Sequence, residues 1–287
     1  MQMSNYISAY KALAHPKHWL KNILIFVPLV YSHNLTNSGL FVSTTMCFAA
    51  FCFISSGVYV VNDIIDVEQD RRHPAKNKRP IASGQVGKRK AVVFAIILFL
   101  LGLCLTIWGY SSYLVLLFAV LYVCLNLAYS FFLKHCVIVD CFCIAAGFIL
   151  RIYAGGSAIN GRISEWLLLT MIAAALFMAF GKRRGEIIQV ADTTTRNVLA
   201  NYDLQFLNGM VFVCAGLSVV FYSLWAMVNI SAMVYTVPLI IFIICKYLLI
   251  IHGGKSYGDP MSVILGDKTL VVAIGIFGFL SILLLYL

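Results

Sequence analysis

The chain alternates long apolar runs with polar segments. A helix needs ~20 apolar residues to cross a bilayer, and nine runs approach that length: 20–34, 40–61, 91–109, 112–133, 137–154, 165–181, 206–228, 231–251 and 269–287. The first run is short and contains Pro28, which favours a kinked or tilted helix. The pattern predicts an all-α integral membrane protein with about nine transmembrane helices in a single polytopic domain, 1–287.

Three connections between the apolar runs are long and polar, and they cover 62–90, 182–205 and 252–268. The composition agrees with a membrane protein, because 62% of the residues are hydrophobic and 11% are charged, whereas a soluble domain carries about 25% charged residues. The nine cysteines include no C-x-x-C pair. We therefore interpret them as buried or lipid-facing small residues rather than as metal ligands.

Basic residues concentrate on one side of the predicted topology. With the N-terminus in the cytoplasm, the three long connections and residues 134–136 are also cytoplasmic. Of 21 Lys and Arg residues, only Arg151 and Arg162 fall in or near the outer segments. The positive-inside rule therefore supports this orientation. The formal net charge of +10 follows from it and requires no nucleic-acid partner.

Acidic residues gather on the same side, which the positive-inside rule does not require. Asp63, Asp66 and Asp70 are spaced i, i+3 and i+7, so they share one face of a helix that continues from the second span, and Asn62 borders that face. Carboxylates on one face repel each other unless a cation lies between them, and Mg²⁺ is often held by carboxylates together with substrate phosphate oxygens. We therefore predict a magnesium site here. The alternative is a solvated acidic helix end, although charge at the mouth of a membrane span is usually functional.

A basic loop follows the acids. Pro74 and Pro80 break any helix, so Arg71–Gly84 is predicted to be a loop. Arg and Lys side chains match phosphate oxygens. Taken alone, these bases fit a cytoplasmic anchor as well as a binding loop, but their position next to three acids favours phosphate binding. The bases concerned are Arg71, Arg72, Lys76, Lys78 and Arg79.

The stretch N-D-x-x-D-x-x-x-D (Asn62–Asp70), followed by N-K-R-P-I-A-S-G (Asn77–Gly84), resembles the UbiA superfamily of intramembrane prenyltransferases. The resemblance extends over nearly the whole chain. It implies a UbiA-like helical bundle with cytoplasmic active-site loops. It also implies that Asp63, Asp66 and Asp70 are catalytic residues that bind magnesium and a diphosphate.

One segment departs from the prenyltransferases of that family, which carry a second Asp-rich motif after the sixth span. Here the corresponding place reads G-K-R-R-G-E, with three bases instead of acids. The chain instead resembles the decaprenyl-phosphate phosphoribosyltransferase branch through four motifs in order: H-P-x-K-x-x-R-P-I-A-S-G (His73–Gly84), Y-S-x-x-L-K with a downstream D (Tyr129–Asp140), G-F-x-L-R (Gly147–Arg151) and G-K-R-R-x-E (Gly181–Glu186).

This resemblance implies transfer of a 5-phosphoribosyl group from phosphoribosyl pyrophosphate to a polyprenyl phosphate of the decaprenyl type, with release of pyrophosphate. It further implies magnesium dependence, a role in cell-envelope polysaccharide precursor synthesis, and a bacterial inner or plasma membrane enzyme whose active site faces the cytoplasm. The implied substrate-binding residues are Asn62, Lys76, Arg79, Tyr129, Lys134, Lys182, Arg183, Arg184 and Glu186. Anchoring at the membrane interface is the alternative role for Tyr129 and for the three bases 182–184.

Two rival functions remain open at this point. One is a UbiA prenyltransferase that moves a prenyl diphosphate to an aromatic or tetrapyrrole acceptor, and the other is a transporter that uses the acids as an ion-coupling site. Asp140 lies inside the fifth predicted span, where a carboxylate is expected to have a partner; Lys134 and a bound metal are the candidates. Arg151 is predicted to be structural. The sequence leaves open whether the chain forms a homo-oligomer.

Overall fold

Helices account for all regular structure in the described part of the chain, which comprises residues 2–72, 76–110, 113–189, 201–253 and 260–287 of a computed structural model. The all-α class is therefore confirmed. 3-10 helices cover Pro16–Phe26, Leu133–His135 and Ser231–Thr236. The α-helices in chain order are α1 (Gln2–Leu13), α2 (Val27–Tyr31), α3 (Ser38–Ile65), α4 (Val67–Arg72), α5 (Lys88–Trp108), α6 (Leu114–Phe131), α7 (Val139–Ala158), α8 (Glu165–Gln189), α9 (Leu204–Asn229), α10 (Val237–His252), α11 (Pro260–Gly266) and α12 (Lys268–Tyr286).

Within the described ranges, eight helices are long and apolar enough to cross a membrane. They correspond to the second to ninth predicted runs. Residues 20–31 of the first run, 20–34, are also helical, but they are divided between the 3-10 helix Pro16–Phe26 and the short α2. Pro28 lies in the first turn of α2, where its missing N–H costs no helical hydrogen bond. Pro28, at which a kink or tilt was predicted, thus lies next to the change from 3-10 helix to α-helix between Phe26 and Val27.

The basic segment after the sixth run is helical, whereas a loop was predicted there. Helix α8 continues past the predicted end at residue 181 as far as Gln189. Lys182 and Arg183 pair with Glu186 at i, i+4 and i, i+3, which are the spacings that stabilise a helix through its side chains. These charged residues therefore occupy defined positions on the last turns of α8.

The chain divides into two compact units, which are described separately. Unit 1 comprises Met1–Lys134 and Leu150–Arg162. In its core α3 packs along α5. Gly102 of α5 makes this close approach feasible, because a Cβ there would lie 2.9 Å from the Ala50 carbonyl oxygen and 2.5 Å from Ile54. Tight packing of the two helices gives the end of α3, which carries the acids, a rigid base.

Unit 2 comprises His135–Ile149 and Ile163–Leu287. Its core is formed mainly between α8 and α9, where Phe180, Leu207 and Val211 are fully buried. Tyr247 of α10 packs against Phe177 of α8, with ring centroids 5.1 Å apart. The last turns of α8, which carry Lys182, Arg183 and Glu186, thus follow a part of the helix that packs against both α9 and α10.

Candidate active site

Asp63, Asp66 and Asp70, here called the acidic cluster, lie in unit 1 where α3 gives way to α4. The chain bends at Asp66, so the single straight helix predicted for the three acids is interrupted. The helical hydrogen bonds nevertheless continue through the bend, from Asp66 N to Asn62 O (2.9 Å) and from Asp70 N to Asp66 O (2.8 Å). The helical arrangement expected from the i, i+3, i+7 spacing is therefore retained through the bend. The three residues are only 3%, 8% and 3% exposed, which rules out a solvated acidic helix end.

Arg79 joins two of these acids. Its Nη1 donates to Asp63 Oδ1 and to Asp70 Oδ2, each at 2.8 Å. The loop that carries it is ordered by turns, with Val86 N donating to Pro80 O (2.9 Å), and Arg71 ties α4 to the loop through the Ala82 carbonyl (3.2 Å). The predicted loop residue Arg79 therefore contacts the acidic cluster directly. His73, the first residue of the same motif, lies outside the described residues.

Lys134 contacts the third acid, Asp66. It follows α6 on the 3-10 helix Leu133–His135, and its Nζ donates to Asp66 Oδ1 at 2.6 Å. Lys134 was predicted as a substrate-binding residue from a motif 68 positions from Asp66 in the sequence, so its contact with the acidic cluster brings two predicted motifs together. Tyr129 of the same motif is half-buried on α6, and its predicted substrate contact stays a prediction.

The charges of the acidic cluster are nearly balanced by bases, but burial still acts on it. Burial raises the pKa of Asp70 above that of an ordinary carboxyl, Arg79 and Lys76 oppose this increase, and Asp63 adds to it. Lys76 is half-buried in the loop. Ionisation of the Asp70 carboxyl therefore costs free energy, and additional positive charge near it would reduce that free-energy cost.

Asn62 supplies an oxygen without a partner. Among the described residues, Asn62 Oδ1 and Ser281 Oγ are the buried side-chain polar atoms that make no hydrogen bond. Leaving a buried acceptor unsatisfied costs about 1–3 kcal/mol, so it calls for an explanation such as a ligand. A carboxylate set with a neighbouring amide oxygen is the donor chemistry that suits Mg²⁺. However, the described residues contain no group of three or more His, Cys, Asp or Glu arranged around a metal position. In this structure Arg79 and Lys134 contact the three carboxylates.

A second group, here called the Asp140 cluster, lies in unit 2 and consists of Asp140, Arg183, Glu186 and Tyr202. Arg183 donates through Nε to Asp140 Oδ2 and through Nη1 to Glu186 Oε2. Tyr202 donates to Asp140 Oδ1 at 2.5 Å and accepts the Ile138 N–H at 2.6 Å. Asp140 and Arg183 are both 0% exposed. Burial and the hydrogen bond to Asp140 raise the pKa of Tyr202, so its hydroxyl remains a donor.

This arrangement corrects one expectation. Lys134 or a bound metal was expected to partner Asp140, but Arg183 does so. The physical reason is that α8 extends beyond residue 181, which carries Arg183 to the Asp140 carboxylate.

The other two bases of the G-K-R-R-G-E segment differ in their surroundings. Arg184 donates to Asn208 Oδ1 at 2.6 Å and to the Ile251 carbonyl at 2.5 Å, linking α8 to α9 and α10. The side chain of Lys182 is 30% exposed, and its Nζ lies 3.9 Å from Glu186 Oε1. Of the three bases, Lys182 is thus the most accessible to a substrate phosphate.

Arg151 has the structural surroundings that were expected. Its Nε donates to Asn22 Oδ1 and its Nη2 to Tyr122 Oη, both at 2.7 Å. The guanidinium also lies 4.5 Å from the centre of the Tyr122 ring. The residue therefore belongs to a buried polar network in the core of unit 1 rather than to the acidic cluster.

Sequence reasoning missed two residues: His15, which contacts the acidic cluster, and Tyr202, which belongs to the Asp140 cluster. His15 Nε2 lies 2.8 Å from Asp63 Oδ2, although in the sequence it is an isolated histidine with no metal-ligand spacing. No local signal marks either residue, since each reaches its carboxylate across 48 or 62 positions of the chain.

Comparison with known proteins defines the class of protein. Residues 23–257 match the UbiA prenyltransferase family, and the chain belongs to that family. It is therefore an integral membrane enzyme, which excludes the transporter alternative. A UbiA homologue from Archaeoglobus fulgidus, solved with GPP and Mg²⁺ bound, has the same fold, with a TM-score of 0.73 at 17% identity over 96% of each chain.

Particular relatives lie in one branch of the family. The decaprenyl-phosphate phosphoribosyltransferase of Mycolicibacterium smegmatis is 34% identical, and the alignment covers 93% of this chain and 89% of that protein. The enzyme of the same name from Mycobacterium tuberculosis strain H37Rv is 33% identical, with 93% and 91% covered. The similarity therefore extends over nearly the full length of both proteins.

Proposed function

We propose that this enzyme transfers a 5-phosphoribosyl group from phosphoribosyl pyrophosphate to a polyprenyl phosphate of the decaprenyl type, in a magnesium-dependent reaction that releases pyrophosphate. The observation that carries the proposal is the acidic cluster: three buried carboxylates whose counter-charges, Arg79 and Lys134, are themselves suited to phosphate. The names of the relatives support the choice of donor and acceptor. The product would serve cell-envelope polysaccharide synthesis in a bacterial inner membrane.

The acidic cluster is proposed to hold magnesium through Asp63, Asp66 and Asp70, with Asn62 in support. Two observations favour this. Asn62 Oδ1 is buried without a hydrogen-bond partner, and burial keeps the pKa of Asp70 raised despite the nearby bases. A bound divalent cation would satisfy the amide oxygen and favour the ionised carboxyl. Magnesium, when bound, would stabilise the negative charge that develops on the leaving pyrophosphate.

The reaction requires little from the protein beyond positioning and charge. The bond between ribose C1 and the pyrophosphate oxygen breaks, and its electron pair leaves with the pyrophosphate. A bond forms between C1 and an oxygen of the lipid phosphate. This acceptor oxygen is already negatively charged, so no general base is required. Displacement in a single step would invert the configuration at C1. The donor is a soluble polyanion and the lipid acceptor carries its phosphate at the membrane surface, and the positive-inside rule favours the cytoplasmic side for these loops.

Arg79 and Lys134 are proposed to transfer their hydrogen bonds from carboxylate to substrate phosphate oxygens as the donor binds. Lys76, in the same loop, would add positive charge. In unit 2, Lys182 is proposed as the base that contacts a phosphate directly, because Arg183 and Arg184 are buried and bonded to protein groups. Arg183 and Glu186 then act by holding the end of α8, and Tyr129 is retained as a proposed substrate contact.

The proposal is tested by giving the purified protein in detergent ribose-labelled phosphoribosyl pyrophosphate, polyprenyl phosphate and Mg²⁺. Label should move into the organic phase only when all three are present, and chelation of the metal should stop the transfer. A parallel reaction supplies a prenyl diphosphate and an aromatic acid. Product in the parallel reaction alone would replace the proposal by the prenyltransferase alternative.

Arg79→Ala is expected to have opposite effects on metal binding and on catalysis. Because Nη1 of Arg79 engages both Asp63 and Asp70, its removal should increase the affinity of the donor-free protein for Mn²⁺, measured by electron paramagnetic resonance. Turnover should fall about 10- to 100-fold, since a hydrogen bond to a charged group contributes about 1.5–3 kcal/mol. Arg71→Ala is the control on the adjacent helix α4, because Arg71 is half exposed and pairs with the exposed Glu68. A lower Mn²⁺ affinity in the Arg79 variant would contradict the proposed exchange.

A further inference from the structure

The segment that precedes the first span is hydrogen-bonded to the middle of α3. Ser56 Oγ donates to the Ala14 carbonyl at 2.6 Å, and Trp19 Nε1 donates to Ser56 Oγ at 2.9 Å. Further along, Asn22 Nδ2 donates to Ser55 Oγ at 3.2 Å. These contacts fix residues 14–22 against the same helix whose end carries the acidic cluster.

His15 is held between these attachment points in an unusual backbone conformation. Its φ of 50° and ψ of 51° lie in the left-handed region, which residues other than glycine rarely adopt. Such a conformation persists only where the surroundings enforce it, and it often accompanies function. Here the following 3-10 helix begins at Pro16, and His18 N donates to the His15 carbonyl at 2.9 Å. The backbone thereby directs the imidazole toward the end of α3.

His15 and Arg79 contact different oxygens of the Asp63 carboxylate. His15 Nε2 lies 2.8 Å from Oδ2, while Arg79 Nη1 lies 2.8 Å from Oδ1. The ring of His15 is also packed near those of Tyr59 and His18, with centroids 5.5 Å and 5.6 Å away. The side chain of His15 is only 15% exposed. The histidine contact thus comes from a rigid segment, whereas the arginine contact comes from the substrate-binding loop.

We infer that His15 is a positioning residue of the acidic cluster: it donates from Nε2 to Asp63 Oδ2 and so keeps Oδ1 oriented for the cation. The inference rests on the proposed magnesium-dependent transfer. Hydrogen bonds of this kind orient metal-ligating carboxylates, and their loss typically weakens metal affinity or activity by about 10- to 100-fold. The proposed role extends the active site to the segment before the first span, which none of the sequence motifs includes.

The test compares His15→Ala, His15→Gln and His18→Phe. Mn²⁺ affinity of the purified, donor-free protein is measured by electron paramagnetic resonance, and the Mg²⁺ dependence of label transfer is measured in parallel. His15→Ala should weaken Mn²⁺ binding and raise the Mg²⁺ requirement about 10-fold, with turnover recovering at high Mg²⁺. Gln can donate through its side-chain amide, so His15→Gln should recover most of the affinity. His18→Phe retains a ring that can stack on Tyr59 and should match the wild type.

The outcomes separate the inference from the proposed function. Wild-type Mn²⁺ affinity in His15→Ala, with transfer intact, overturns the positioning role alone. A similar loss in the Ala and Gln variants also overturns it, because packing rather than the hydrogen bond would then matter. A raised KM for phosphoribosyl pyrophosphate with unchanged metal affinity would make His15 a substrate contact instead. A wild-type protein that binds no Mn²⁺ and transfers no label overturns both the inference and the proposed function.

Discussion

Asp66→Asn is expected to abolish label transfer to the lipid while the protein still folds in detergent. The substitution is nearly isosteric, but it removes the charge that Lys134 Nζ contacts at 2.6 Å and that the proposed magnesium ion requires. Losing about 4 kcal/mol of metal-dependent stabilisation corresponds to a decrease in turnover of about 1,000-fold. The measurement is the initial rate of transfer at saturating substrates, together with size-exclusion chromatography to confirm folding. Near-normal turnover would contradict the metal assignment.

Two variants control for indirect effects of this substitution. Lys134 is nearly buried, so Asp66→Asn leaves an ammonium group without its carboxylate, and the double variant Asp66→Asn with Lys134→Met removes that unpaired charge. The double variant should be more stable than the single one and remain inactive. Glu68→Gln neutralises an exposed acid of the adjacent helix α4 and should leave turnover close to that of the wild type.

Asp140→Asn is expected to produce the largest loss of stability. It leaves Arg183, which is 0% exposed, without the carboxylate that its Nε contacts. Removing one partner of a buried ion pair costs about 3–5 kcal/mol, because the remaining charge stays buried. The variant should therefore unfold at a markedly lower temperature in detergent. An unfolding temperature equal to that of the wild type would show that Arg183 finds adequate compensation elsewhere.

The matched controls are a second ion pair and a double variant. Asp267 pairs with Lys246 at 3.2 Å, both side chains are about a quarter exposed (26% and 24%), and Asp267 also caps α12 by accepting the Leu270 N–H. Asparagine caps helices as well as aspartate does, so Asp267→Asn should shift the unfolding temperature far less than Asp140→Asn. Replacing Asp140 by Asn and Arg183 by Met together removes both buried charges and should recover part of the lost stability.

The fold was largely predictable because a bilayer imposes long apolar helices, and these are legible in one sequence. The runs from 40–61 onward became helices near the expected bounds. The end of α8 was predicted at residue 181, which is too early. Its last turns contain the charged stretch Lys182–Glu186, and hydropathy alone assigns such residues to a loop. What keeps them helical is pairing within the helix and the burial of Arg183 against Asp140. That burial is a tertiary effect with no counterpart in the local pattern.

The acidic cluster was predictable in its acids but only partly in its bases. The helical arrangement of Asp63, Asp66 and Asp70 is retained through the bend between α3 and α4, because the helical hydrogen bonds continue through it. Arg79 could be inferred as a neighbour, being only 16 positions from Asp63. His15 could not, since its approach depends on a left-handed backbone and on contacts with α3. Interactions between distant segments are thus where the sequence alone was least informative.

The guanidinium of Arg79, placed between Asp63 and Asp70, has a consequence for the order of binding. To bind between these acids, a free metal ion would have to displace Arg79, which would lose both carboxylate partners. The phosphate oxygens of a metal-bound donor would instead accept hydrogen bonds from Arg79. The enzyme would then bind the metal–donor complex more tightly than it binds the free ion. At a fixed concentration of free ion, initial rates would accordingly rise with the concentration of that complex.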